Sequence, residues 1–330
     1  MKKIKFGVIG SNFIVKNFLE ASKYINDFEL FAFYSRNFDT AKSFQDKYNI
    51  KHIYTNLDEM ANNDEIDAIY IASPNSLHHS QAIKFLKNKK HVLCEKSLAS
   101  NTSEVKNMFK VAKENNVLLM EAMRLTILPN FLQVKKNIYK IGKVRRYFAN
   151  HCQYSSRYDQ YKNGIILNAF KNELSNGSLM DIGVYCIHPL VSLFGKPNKV
   201  FSNAYMLDSG VDGQGSAIFK YNDMDALIMY SKISNSSIPS EIQGENGSII
   251  IDKINKFSNV KLIYKDGSIE DLTTNQDEND MCYEINEFIG LIKSNQILST
   301  LNTKENSITV MSLMDEIRSQ ICLTYPADKL

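Results

Sequence analysis

The chain carries almost no net charge: 39 basic against 36 acidic residues leave +3 over 330 positions. That balance gives no electrostatic case for nucleic acid or an anionic membrane as partner. Long apolar runs are missing too, so no membrane span is expected. The Met-Lys-Lys start leads into a short strand rather than a signal-peptide core, which predicts a protein that stays in the cytoplasm. Five cysteines, Cys94, Cys152, Cys186, Cys282 and Cys322, are odd in number, widely spread and without CxxC spacing. A disulfide framework is thereby excluded, and reduced thiols are expected. His151, Cys152, Cys186 and His188 fit no common ligand spacing, so no metal is expected. Internal repeats and low-complexity linkers are absent. What remains is an ordinary globular composition, 44% hydrophobic and 23% charged, in a chain too long for one hydrophobic core.

Two halves with different periods are legible. In residues 1–123 short apolar runs alternate with helical patterns, which argues an α/β, doubly wound parallel sheet of the Rossmann type. Strands are expected at 4–9, 28–34, 52–54, 67–72, 92–94 and 117–120. The first turns through Gly10-Ser11-Asn12-Phe13-Ile14 into a helix, the context a dinucleotide pyrophosphate needs, because a helix N-terminus offers free N–H groups and a positive dipole. The fingerprint is imperfect. Gly10 supplies the turn, but Asn12 and Val15 stand where further glycines are usual. Asparagine tolerates a left-handed backbone, which keeps the loop possible.

The second strand ends in Ser35-Arg36, where an NAD-preferring site carries an acid. A guanidinium suits a 2′-phosphate instead, so NADP is preferred over NAD. The fourth strand ends in Ser73-Pro74-Asn75-Ser76-Leu77-His78; Pro74 fixes the exit, Asn75 or Ser76 caps the next helix, and His78 reads as structural. The stretch from Lys90 to Ser97 ends a buried strand abruptly on Glu95 and Lys96, at the carboxyl edge where open α/β sheets hold ligands. A lysine there can share a proton with a substrate oxygen. Arg124 follows another strand terminus and could hold a polar substrate or a carboxylate of the fold.

Residues 124–330 read as an α+β domain with a largely antiparallel open sheet, its strands separated by hairpin signals such as Glu245-Asn246-Gly247 and Lys265-Asp266-Gly267. Two amphipathic helices, near 283–293 and 305–324, close the chain. A sheet with helices on one face leaves the other for a second copy, so a homodimer or homotetramer is expected. Between the first two strands lies the run Asp181-Ile182-Gly183-Val184-Tyr185-Cys186-Ile187-His188. If helical, it places an acid, a phenol and an imidazole at i, i+4 and i+7 on one face.

Gly7-Val8-Ile9-Gly10, Tyr34-Ser35-Arg36, Ala72 to His78, Glu95-Lys96 and Asp181 to Tyr185 together resemble the Gfo/Idh/MocA oxidoreductases, over nearly the whole chain. Glu121-Ala122-Met123 and the tyrosine four residues after the aspartate point to the branch with dihydrodiol dehydrogenases and bacterial sugar dehydrogenases. The resemblance implies an NAD(P)-dependent dehydrogenase in which hydride passes between the nicotinamide and a secondary alcohol or carbonyl of a sugar, polyol or cyclic diol. It implies a cofactor held by Gly10, Asn12, Phe13, Ile14, Ser35, Arg36, Ser73, Pro74, Asn75, His78, Glu95 and Lys96. Lys96 would sit beside the reacting oxygen, Asp181 would orient the substrate, and Tyr185 would act as acid/base. Arg124 and His188 would contribute to the substrate pocket. The sequence departs from the family pattern at Asn12, usually glycine, and at Ser97, usually proline. Those departures motivate a second reading, a sugar- or nucleotide-sensing protein that has lost turnover. A methyltransferase reading of Gly10 gives Lys96 and Tyr185 no task.

Overall fold

The computed structural model describes residues 2–329. The chain divides into two compact units, Met1–Arg124 with Asp277–Lys304, and Leu125–Gln276 with Glu305–Leu330. The chain first passes from one unit to the other after Arg124. A segment near the C-terminus, however, returns to the first unit.

In the first unit, β1 (Ile4–Ile9), β2 (Phe28–Tyr34), β3 (His52–Tyr54), β4 (Ala68–Ile71), β5 (His91–Glu95) and β6 (Leu119–Ala122) form one parallel sheet in the order β3-β2-β1-β4-β5-β6. Near-continuous Val, Ile, Phe and Leu make these strands, as burial on both faces requires. Helices α1 (Phe13–Ser22), α2 (Phe38–Tyr48), α3 (Leu57–Ala61), α4 (Asn75–Lys87) and α5 (Thr102–Glu114) connect them. The strand order reverses between β1 and β4. This is the switch point where the loops after neighbouring strands diverge and leave a crevice at their carboxyl ends.

The second unit opens with α6 (Pro129–Asn137). It is built on an eight-stranded sheet of β7 (Val144–Cys152), β8 (Lys199–Met206), β9 (Asp212–Lys220), β10 (Asp225–Ser231), β11 (Ser240–Gly244), β12 (Gly247–Lys253), β13 (Ser258–Tyr264) and β14 (Ile269–Asp271), ordered β14-β13-β12-β11-β7-β10-β9-β8. Six of the seven neighbouring pairs are antiparallel; β7 and β10 run parallel at the centre. A short α7 (Tyr158–Lys162) and the longer α8 (Val184–Phe194) lie between β7 and β8. Of the last two helices, α9 (Met281–Lys293) belongs to the first unit, where Phe288 lies 5.9 Å from Phe6 and Asn279 donates to the carbonyl of Asn17 at 2.9 Å. Helix α10 (Lys304–Gln320) covers the second sheet, with Gln320 bonded to Ser202 N and Val200 O.

Alternation along β8 and β9 buries Val200, Ala217 and Phe219 and leaves Phe201 and Ile218, which are register partners, exposed at 56% and 43%. The stretch Asn172–Phe194 is apolar enough to cross a membrane by composition, yet 72% of its most apolar 18-residue window is buried inside the fold, as in a core helix.

Candidate active site

The first unit gathers its polar groups at the carboxyl ends of the strands. Gly10 has φ +112°, and a Cβ there would stand 2.6 Å from the carbonyl oxygen of Ala72, so only glycine closes the turn between β1 and α1. Asn12 does not adopt the left-handed backbone that the sequence allowed; its φ is −79°. Its side chain caps α1 instead, accepting from Ile14 N at 3.2 Å and Val15 N at 3.3 Å, while its amide donates to Ala72 O at 3.3 Å. The residue in place of the second glycine thus supplies a built-in cap where N–H groups would otherwise be open. The Gly10 cradle and the helix N-terminus still suit a dinucleotide. Phe13 is exposed at 62% and Ile14 half-buried on the first turn. At the end of β2, Ser35 Oγ accepts from Asn37 N at 3.2 Å and Arg36 is exposed.

Lys96 leaves β5 half-buried, and the Lys96–Ser97 peptide is cis. The turn is held from three sides. His78, fully buried, reaches Ser97 O at 3.0 Å and Ser73 O at 2.8 Å, and so ties the β4 exit, with Pro74 and Asn75, to the lysine turn. Burial lowers its imidazole pKa despite the two carbonyls. Glu121, from β6, accepts from Leu98 N at 3.2 Å. Beneath the lysine, Tyr70 OH donates to Glu95 Oε1 at 2.6 Å.

Sequence reasoning missed a second acid in this layer. Glu284 of α9 is 1% exposed. Burial pushes its carboxyl well above the usual range, and the Glu95 charge adds to that shift. Glu95 is raised also, by burial first, but the Tyr70 hydroxyl and the Lys96 ammonium favour its ionised form. Of the two, Glu284 is the carboxyl that burial and the neighbouring charge hold toward its protonated form. A clue was present in the sequence: Glu284 falls on the apolar stripe of Met281, Ile285, Phe288 and Ile289, where a solvated acid has no place. Arg124 Nε lies 3.0 Å from Asp280 Oδ2, so a carboxylate of the fold stands within its reach.

In the second unit, Asp181 lies in a π-helical turn, Leu179–Gly183, that precedes α8. Asp181 and Tyr185 are half-buried, whereas His188, three residues further along α8, has no exposure, so the stripe passes from the surface into the core at its last member. That burial argues against His188 as a direct substrate ligand. Tyr185 packs edge-on against His151 of β7, ring centres 5.6 Å apart.

The π turn is itself tied down. Asp212 accepts from Ser178 N at 3.1 Å and Leu179 N at 2.7 Å, and a Cβ on Gly177 would collide with its carboxylate at 2.1 Å. Burial raises the Asp212 pKa to about 6. Just past β10, Lys232 places its ammonium 2.7 Å from Asp181 Oδ2 and 3.3 Å from Ala169 O. It also lies 5.2 Å from the centre of the Phe170 ring. Nothing in the sequence singles out Lys232, which reads as one more lysine at a strand end. Among the described residues no group of three His, Cys, Asp or Glu side chains is placed to hold a metal.

Comparison with known proteins agrees with this architecture. Residues 4–123 match the Gfo/Idh/MocA oxidoreductase family with its NAD-binding Rossmann fold, and residues 131–250 match the Gfo/Idh/MocA C-terminal domain. A scyllo-inositol 2-dehydrogenase (NADP(+)) of Bacillus subtilis is 52% identical over 99% of both chains. A trans-1,2-dihydrobenzene-1,2-diol dehydrogenase of Xenopus tropicalis is 27% identical over 98% of this chain and 99% of its own. Among solved structures, a levoglucosan dehydrogenase in complex with NADH and levoglucosan superposes with a TM-score of 0.87 at 18% identity, covering 97% of this chain and 98% of the other. The two strand orders, the fingerprint turn and the matches along both halves have one explanation: the chain belongs to the Gfo/Idh/MocA family of oxidoreductases.

Proposed function

We propose that this protein is an NADP-dependent dehydrogenase of cyclic polyols, acting on a secondary hydroxyl of an inositol-like ring. The observation that carries the reading is the 52% identity, over 99% of both chains, to a scyllo-inositol 2-dehydrogenase (NADP(+)). Exposed Arg36 at the end of β2 supports the 2′-phosphate form of the cofactor, since its rigid fork of donors matches phosphate. The first unit would hold the dinucleotide on Gly10, the α1 N-terminus, Ser35, Arg36 and the Ser73-Pro74-Asn75 turn. The second would select the substrate. The nicotinamide, when bound, supplies the hydride acceptor or donor.

The chain's own residues then handle position and proton. Asp181 accepts from a ring hydroxyl and fixes the face presented for reaction. In reduction Tyr185 gives its phenol proton to the oxygen as hydride reaches carbon; in oxidation the phenolate takes that proton back and becomes the phenol, while Lys96 stabilises the oxygen as it loses it. Because oxidation releases a proton, it is favoured as pH rises. Exposed Phe201 and Ile218 on the open sheet support a homo-oligomer. All five cysteines are free, as a reducing cytoplasm would keep them.

Cofactor reduction by the purified protein, followed with scyllo-inositol, myo-inositol and simple sugars and with NADP against NAD, tests the reading. Turnover of an inositol, faster with NADP, is expected. No turnover with any polyol, or a clear preference for NAD, would overturn it. Turnover also separates this reading from an inactive sensor on the same fold.

A further inference from the structure

We propose that Lys232 is the positioning residue for Asp181: a buried cation that fixes the carboxylate as a permanent hydrogen-bond acceptor for a neutral ring hydroxyl. The inference rests on the reading of Asp181 as the substrate-orienting group. The pair is asymmetric. The Lys232 side chain is 3% exposed and that of Asp181 39%, so the cation is enclosed while the anion faces outward. The ammonium has three donors; one meets Asp181 Oδ2 at 2.7 Å and another Ala169 O at 3.3 Å. The Phe170 ring, 5.2 Å away, covers the same charge. Such an arrangement leaves Asp181 little freedom to turn, and it offsets the cost of keeping the carboxylate ionised in a half-buried position.

Asp212, raised to about 6 by burial, is the other carboxylate felt by Lys232, but its oxygens already accept from Ser178 N and Leu179 N. Tyr230, also fully buried on β10, feels the charge of Asp212 and stays a neutral phenol. On the packed elements the other titratable groups are Tyr147, His151 and Cys152 of β7 and Tyr185, Cys186 and His188 of α8, with Arg145 and Arg146 paired to Glu245 and Asp225 at the far end of β7. Asp181 is thus the carboxylate that Lys232 is left to orient.

The test compares D181N, K232M and D181N/K232M, well above the pH at which Asp212 titrates. If Lys232 acts through Asp181, K232M lowers kcat/KM for the polyol by about 100-fold, the size of a misplaced orienting group. The double variant is then no slower than D181N. A K232M rate within threefold of wild type, or losses that multiply in the double variant, would overturn the proposal. Should K232M not fold, D181N/K232M strands no charge, and its comparison with D181N alone decides the matter: equal rates support the proposal and a further drop refutes it. A readout independent of turnover comes from melting. D181N, which leaves a buried ammonium without its counter-ion, melts lower than wild type, and adding K232M restores the melting temperature. Failure of that recovery would show that the pair is not coupled. Recovery without any polyol turnover would keep the pair and reject the proposed substrate instead.

Discussion

At the scale of single residues, the chemistry is assigned to Lys96 and Tyr185. The turn that carries Lys96 is held by His78 on Ser97 O, Glu121 on Leu98 N, and Tyr70 on Glu95. A lysine on so firmly tied a turn has little reorganisation left to make when an oxygen arrives beside it. K96A and Y185F are each expected to lower kcat by at least about 100-fold, roughly 2.7 kcal/mol of barrier. If both act on one proton, the double variant loses little more than the worse single variant. Retention of turnover within about tenfold in both single variants would remove the assignment.

Gly10, Lys96, Asp181 and Tyr185 sit at strand or helix ends, where a change of pattern marks them in the sequence. Asn12 was legible as a departure, but not as a helix cap, because its conformation depends on Ala72 sixty residues on. Lys232 and Glu284 were hidden for a different reason. A charged residue is buried only when a distant partner or a proton compensates it, and pattern reading assigns charge to the surface.

At the scale of elements, α9 carries the clearest consequence. Its apolar stripe brings Glu284 into the first unit, against the layer of Glu95 and Tyr70. The folded-state pKa of Glu284 is raised above its unfolded value. Its contribution is therefore fully present below the unfolded carboxyl pKa and is lost as pH rises through the folded one. The isosteric, always neutral Glu284→Gln should melt higher than wild type at neutral pH, by about 1 kcal/mol or more, roughly 2–4 °C. The difference should shrink toward zero as pH falls into the carboxylate range. Thermal melts across that range check the sign; a gap that widens on acidification would contradict the protonated state assigned to Glu284.

The strand-helix alternation of the first unit was read strand for strand, since burial on both faces writes it into continuous apolar runs. The short strands β11 and β14 escaped notice: β14 is a three-residue edge, and β11, though paired on both sides, carries Ile242 as its one apolar side chain. Nor was the π turn before α8 foreseeable; an inserted helical residue leaves no periodic trace within one turn.

For the molecule as a whole, oligomerisation is the property the open sheet argues for. Phe201 and Ile218 face each other across β8 and β9 on the side that α10 leaves open. Charges at both positions, as in F201E/I218E, should convert an oligomer into a monomer without unfolding it, read by sedimentation velocity and circular dichroism. An unchanged oligomer would mean that another surface joins the copies. The most direct measurement uses scyllo-inositol deuterated at its ring carbons, with NADP, and mass spectrometry of the reduced cofactor. One deuterium per reduced nicotinamide is predicted; cofactor that stays oxidised, or is reduced without the label, would contradict direct hydride transfer from a polyol by this protein.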